Sequence, residues 1–227
     1  PYKPEEESLD IEEVARSVRE AFDEQCAKYG LKEPRLIAEP GRWIAANMGW
    51  LVGKVTVIKD SYKKFVGIDA SSNDMPRPSI YGAYHHVSVV KKRNGSFEPN
   101  NKAKSLPGQT FDEGNLIEEG VGVIPPPVGG RGGNNSTENA SPEKLEVVSV
   151  VGTICENNDQ LAKDRELPVC EVGDIVVIHN SGGHAYAMGH NYNGKLRHAE
   201  YLLRMDGSFA KIRRAETMED LYATVEV

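Results

Sequence analysis

Beyond Asn47 the apolar residues come in short Val/Ile-rich runs parted by turn residues, a spacing that suits an all-β fold. Runs at residues 51–59, 64–69, 84–90, 147–153, 174–179, 197–203 and 209–213 read as strands. Thr217 is placed to cap a last short helix over 218–221. So many strands with so little helix predict a mostly β domain over 48–227, a β-sandwich or Greek-key barrel.

The first 47 residues follow another rule. Ile11, Val14, Ala15, Val18, Ala21 and Phe22 recur at the spacing of one helical face. Asp10 can cap that helix, Glu12 and Glu13 suit its positive end, and Gly30 is a stop just past Tyr29. Residues 35–38 then read as a short strand, closed by Glu39-Pro40-Gly41-Arg42. Helix then strand, with polar residues at the strand's C-terminal end, is the repeat of a (β/α) barrel. Residues 1–47 are therefore expected to be the last helix and strand of an incomplete barrel.

Residues 93–145 fit neither pattern. They hold Pro125-Pro126-Pro127, Gly129-Gly130-Arg131-Gly132-Gly133 and Asn134-Asn135-Ser136-Thr137, with too few large apolar side chains to offset the entropy of ordering. They read as a flexible insertion in a surface loop. The glycines follow prolines and precede no helical pattern, which argues against a phosphate cradle.

The net charge of −7 argues against nucleic acid or an anionic membrane as a partner, and no run approaches the ~20 apolar residues of a spanning helix. Three scattered cysteines, Cys26, Cys155 and Cys170, suit a reduced, cytoplasmic chain. No signal peptide is visible. The first residue is Pro1, and the true N-terminus is expected to lie further upstream. His85, His86, His179, His184 and His190 match no common zinc spacing, so no metal site is expected. Lys91-Lys92-Arg93 reads as a solvated strand end.

Five blocks carry chemistry. They are Glu39-Pro40-Gly41-Arg42, Arg77-Pro78-Ser79-Ile80-Tyr81, Cys155-Glu156-Asn157-Asn158-Asp159, Lys163-Asp164-Arg165-Glu166-Leu167-Pro168 and Met188-Gly189-His190-Asn191-Tyr192-Asn193-Gly194. Each has a plain alternative: a strand-to-loop turn, a surface Arg, a buried Cys. Taken together they resemble the diaminopimelate decarboxylases, pyridoxal-phosphate enzymes of the alanine-racemase-like fold type.

The resemblance implies decarboxylation of meso-2,6-diaminopimelate to L-lysine and CO2, with pyridoxal 5'-phosphate as cofactor. It implies that Glu39 faces the pyridinium nitrogen, keeping the ring an electron sink. Pro40 and Gly41 would bring backbone to the cofactor phosphate, and Arg42 would add a bidentate anion partner for cofactor or substrate. Arg77 and Tyr81 would hold the carboxylate of the centre that does not react. Cys155 would be the acid that returns a proton, and Glu156 would bind the distal ammonium. In the family Cys155 and Glu156 enter from a neighbouring subunit, so a homodimer is implied. The family form has Tyr where His184 stands; either His184 or the nearby Tyr186 can take that contact with cofactor and substrate. The family's Schiff-base lysine and glycine-rich phosphate loop have no counterpart here and would lie upstream, so this polypeptide alone is expected to be inactive. Two other readings stay open. One is a related pyridoxal-phosphate decarboxylase of another substrate; the other is a catalytically dead β-domain serving as an assembly module.

Overall fold

The computed structural model describes residues 2–3, 5–32, 34–93, 96–98 and 144–226. In chain order the elements are α1 (Ile11–Tyr29), α2 (Gly41–Ala45), β1 (Leu51–Asp60), β2 (Lys64–Ile68), α3 (Arg77–Tyr81), β3 (Val87–Arg93), β4 (Ser96–Glu98), β5 (Leu145–Val151), β6 (Gln160–Pro168), β7 (Ile175–Ile178), β8 (Glu200–Leu203), β9 (Phe209–Arg213) and α4 (Met218–Leu221). The insertion expected over 93–145 lies largely outside the described residues. Its described ends are strand: β3 runs through Arg93, β4 pairs back on it, and β5 begins at Leu145.

Seven strands form one sheet in the order β4-β3-β7-β1-β2-β5-β6, with β2–β5 its single parallel pair. The sheet curls. β3 and β6 are not paired, yet Lys91 Nζ on β3 donates to the Val169 carbonyl just past β6. The Arg165 guanidinium of β6 lies 3.6 Å from the ring centre of Tyr84, just ahead of β3. Alternation along β1 turns Leu51, Gly53 and Val55 inward. They join Val66, Ile68, Met75, Val87, Val89, Val148, Val150, Leu161, Val176 and Ile178 in the core inside the curl. β7 is buried on both faces, because Ile175 and Val177 pack outward with Val90, Trp50 and Val52. Each such side chain is worth about 1.5–3 kcal/mol when fully buried, which makes β7 the anchor of the sheet.

Asp174 fastens the curl from below. It is buried and accepts from Lys91 Nζ at 2.8 Å, Glu171 N at 2.8 Å and Lys92 N at 3.0 Å. Lys91 is therefore a half-buried ion-pair partner, not the solvated charge expected of a basic strand end.

The helix over 11–29 is capped as its sequence predicts. Asp10 Oδ1 accepts from Glu12 N and Glu13 N, and Gly30 closes it at φ 61. None of its residues is buried. Residues 35–38 are not the expected strand; they are exposed coil. A barrel strand exists by pairing with parallel neighbours, and none stands beside it among the described residues. Thr217 and Asp220 form a reciprocal cap on α4, as expected. No helix among the described residues is long and apolar enough to cross a membrane.

Candidate functional site

Two clefts gather the residues of interest. The first, of about 450 Å3, is lined by Ala38, Glu39, Pro40, Gly41, Arg42, Ile44 and His184. Its floor is the turn into α2, where Gly41 N donates to Glu39 O at 2.8 Å and Ile44 N to Pro40 O at 3.1 Å. His184 arrives from a distant stretch because the chain crosses over the end of α2. Ser181 N donates to Gly49 O at 2.8 Å and Gly182 N to Ala46 O at 3.0 Å. A Cβ on Gly182 would overlap the Ala45 carbonyl oxygen and sit 2.8 Å from Gly49 N, so only glycine allows the crossing. His184 itself is held at φ 68, a left-handed conformation uncommon outside glycine and a frequent mark of functional positions.

Tyr186 faces elsewhere. The guanidiniums of Arg197 and Arg213 pack on its ring at 3.7 and 4.2 Å, and His198 meets it edge-on at 5.5 Å. The structure thus brings His184, not Tyr186, to Glu39 and Arg42. His198 is in turn held by buried Asp74, whose Oδ1 lies 2.9 Å from His198 Nδ1. Burial works to raise the Asp74 carboxyl, but the His198 hydrogen bond and the Lys195 ammonium hold it below the usual carboxylate range.

Beside this cleft two cations meet one ring. The Arg42 and Arg77 guanidinium carbons lie 4.7 and 4.9 Å from the centre of the Tyr2 ring. Arg77 Nη1 also donates to the Tyr2 hydroxyl. Arg77 is only 8% exposed, and neither arginine has a carboxylate partner among the described residues. Buried charges are normally paired, so an unpaired guanidinium here marks a place for an anion. Tyr81, at the other end of the same helical turn, is exposed. The pair therefore forms no fork within this chain.

His85 completes the group, its ring 4.8 Å from that of Tyr2. Burial pushes it down to about 4, and the positive charges of Arg77, Arg165 and Arg42 add to this against the opposing bond to a carbonyl. That bond, His85 Nδ1–H to His179 O at 2.9 Å, leaves buried Nε2 without a partner among the described residues. His179 is likewise pushed down to about 4 by burial, then by His86. Neutral rings add no further positive charge beside the two arginines.

The second cleft, of about 250 Å3, is lined by Ser72, Pro76, Ser79, Ile80, Glu156, Asn158, His190 and Tyr192. Cys155, next to Glu156 in the chain, is exposed. The Cys155-Glu156 turn is tied down from three sides. Asn193 Nδ2 donates to Cys155 O at 3.3 Å, Asn158 N to Glu156 Oε1 at 3.0 Å, and Asn158 Nδ2 to Ser79 O. Asp159, buried, accepts from Ser72 N at 2.6 Å and from Ile154 N at 3.0 Å. Ser79 and Ile80 of α3 line the second cleft, while Arg77 of the same turn meets the Tyr2 ring. The two linings share no residue, so Glu156 lines a different cleft from Arg42 and His184. Cys170 is buried and its thiol is pushed up to about 11, chiefly by burial, which leaves it inert.

Tyr2 and the Asp74–His198 pair carry no periodicity and act through partners far along the chain, and Asp159, although it closes the Cys155-Glu156-Asn157-Asn158-Asp159 block, gives no sign there of its bond to Ser72. Among the described residues no group of His, Cys, Asp and Glu is arranged to hold a metal ion.

Comparison with known proteins places this arrangement. Residues 42–130 and 124–182 match the family model described as pyridoxal-dependent decarboxylase, C-terminal sheet domain. A diaminopimelate decarboxylase of Methanothermobacter thermautotrophicus is 33% identical over 97% of this chain and 40% of its own length. Protein TabA of Pseudomonas amygdali pv. tabaci is 32% identical over the same shares. The crystal structure of diaminopimelate decarboxylase from M. jannaschii superposes with a TM-score of 0.70 at 30% identity, covering 100% of this chain and 41% of that one. The chain thus spans about 40% of the length of these relatives. With a curled sheet, a cleft at Glu39–Arg42 and relatives that agree over nearly its full length, this chain belongs to the pyridoxal-dependent decarboxylases, as their C-terminal sheet domain with the segment that leads into it.

Proposed function

We propose that this chain supplies the substrate-binding and proton-donating half of an enzyme that decarboxylates meso-2,6-diaminopimelate to L-lysine and CO2. The observation that carries the reading is Arg77, a buried guanidinium without a carboxylate partner among the described residues, beside the exposed guanidinium of Arg42 across the Tyr2 ring. A distal carboxylate satisfies it; a cationic distal group would leave it uncompensated. A solved relative, the M. jannaschii diaminopimelate decarboxylase in complex with L-lysine, supports this substrate class.

The residues of the first cleft fit a phosphorylated pyridinium: Glu39 for the ring nitrogen, the open backbone at Gly41 for the phosphate and His184 for a further hydrogen bond, which leaves the Arg42 guanidinium for a substrate carboxylate. Pyridoxal phosphate, when bound, supplies the electron sink for the carbanion left by departing CO2. The chain's own residues do the rest. Arg77 orients the substrate by its unreacting end. Glu156 pairs with the distal ammonium. Cys155, exposed on its braced turn, holds the proton destined for the α-carbon. Because Glu156 lines a different cleft from Arg42, we propose that two copies pair and each lends the Cys155-Glu156 turn to the other's site.

The test is lysine formation from meso-diaminopimelate by the holoenzyme and its Cys155→Ala variant. The expected result is turnover in the parent and a loss of roughly 10²-fold or more in the variant, the usual size of one general-acid contribution. A parent that binds pyridoxal phosphate but leaves this substrate untouched would overturn the reading.

A further inference from the structure

Tyr2 lies in a Pro/Glu-rich stretch with no strand or helix, yet it meets Arg42 of the first cleft together with Arg77 and His85. Arg42 and Arg77 lie 4.7 and 4.9 Å from its ring centre, Arg77 donates to its hydroxyl, and His85 meets its edge at 4.8 Å. Two guanidiniums on one ring repel each other. The π face offsets part of that repulsion, and neutral His85 adds none. The hydroxyl does something the ring alone cannot: it takes one N–H of Arg77 and so fixes the plane of that guanidinium. Arg77 has further N–H donors, all lying in that plane.

We propose that Tyr2 is a positioning residue for the substrate. Its ring spaces Arg42 and Arg77, and its hydroxyl aims Arg77, so that both present their remaining donors to one dianionic ligand. This rests on the reading above that Arg77 receives the distal carboxylate. Its consequence is specific. Loss of Tyr2 weakens dicarboxylates, which need both arginines at once, and spares monocarboxylates of similar length.

The experiment uses the holoenzyme, its Tyr2→Leu and Tyr2→Phe variants, and pimelate and hexanoate as non-reacting probes. For Tyr2→Leu, KM for meso-diaminopimelate and Kd for pimelate should both rise roughly tenfold, kcat should fall by a smaller factor, and hexanoate affinity should hold. Tyr2→Phe keeps the ring and should recover most of the loss, leaving about a threefold rise, the size of one lost hydrogen bond. A folded, cofactor-loaded Tyr2→Leu with pimelate Kd within twofold of the parent overturns the proposal. So does an equal loss for pimelate and hexanoate, which marks a merely structural role. Should Tyr2→Leu fail to fold, Tyr2→Phe decides, and an unchanged pimelate Kd overturns the proposal. A parent inactive on diaminopimelate sinks the substrate reading, while the two probes still test Tyr2 by binding alone.

Discussion

His85 and His179 show how single residues can tie stability to pH. The His85 ring is buried and that of His179 half-buried, and both are tied in beside β3 and β7, His85 through its Nδ1–H to His179 O and His179 through Nε2 to Ser88 Oγ at 2.9 Å. In the unfolded chain each takes up a proton near pH 6.5; in the folded one neither does so until about pH 4. Between those values the unfolded state binds more protons, so stability is full above pH 6.5 and falls as the pH drops towards 4. Each ring contributes on the order of 2–3 kcal/mol to that loss. Urea midpoints measured at pH 7 and at pH 4.5 should therefore differ, and His179→Gln should shrink the difference. An unchanged difference in that variant would mean that carboxylates set the acid limb. Of these residues the adjacent His85-His86 pair was visible in the sequence as a candidate ligand set. That both rings would be held below the usual histidine range was not, because the burial responsible is set by the fold and the added charge of Arg165 comes from far along the chain.

At the scale of elements, the crossing of Gly182 over α2 is what brings His184 to Glu39 and Arg42. In Gly182→Ala the new methyl meets the Ala45 carbonyl and the Gly49 amide, both backbone, and neither can give way without moving α2. The expected cost is about 2–3 kcal/mol of stability, with weaker cofactor binding from a displaced His184. A thermal melt and a pyridoxal phosphate titration check both, and an alanine variant with parent-like values would show the crossing to be looser than drawn. The glycine's role could not be read from the chain, since Ser181-Gly182-Gly183 looks like any turn. Strands with clean alternation, such as β1 and β9, were legible almost to the residue. β6 was not: its charged residues mask Leu161 and Leu167, and a left-handed Asp164 at φ 47 breaks the period of two. α3 hid for the opposite reason, since a single turn beginning Arg77-Pro78 has no period to detect. The blocks of the site were legible because motif spacing survives where periodicity fails. Which blocks meet was not, because that depends on how the sheet curls.

For the whole molecule the decisive fact is that Arg42 and Glu156 line different clefts of one chain. α3 and Asp159 hold them in fixed relation, since Ser72 N and Ile154 N both bind the Asp159 carboxylate. A rigid brace of this kind keeps Cys155 from swinging round to its own Arg42. It suits a turn that reaches into a second copy. Two damaged chains should then repair each other. Arg42→Ala spoils the first cleft and Cys155→Ala the second; both residues are exposed, so both variants should fold. Each variant alone should be nearly inactive. Co-expressed, half the dimers are hybrids, and each hybrid has one site with both residues intact and one with neither. Activity should return to about a quarter of the parent's, the share that two-fold symmetry and random pairing allow. If each chain completes its own site, every site in the mixture lacks one residue, and the activity stays at the mean of the two variants.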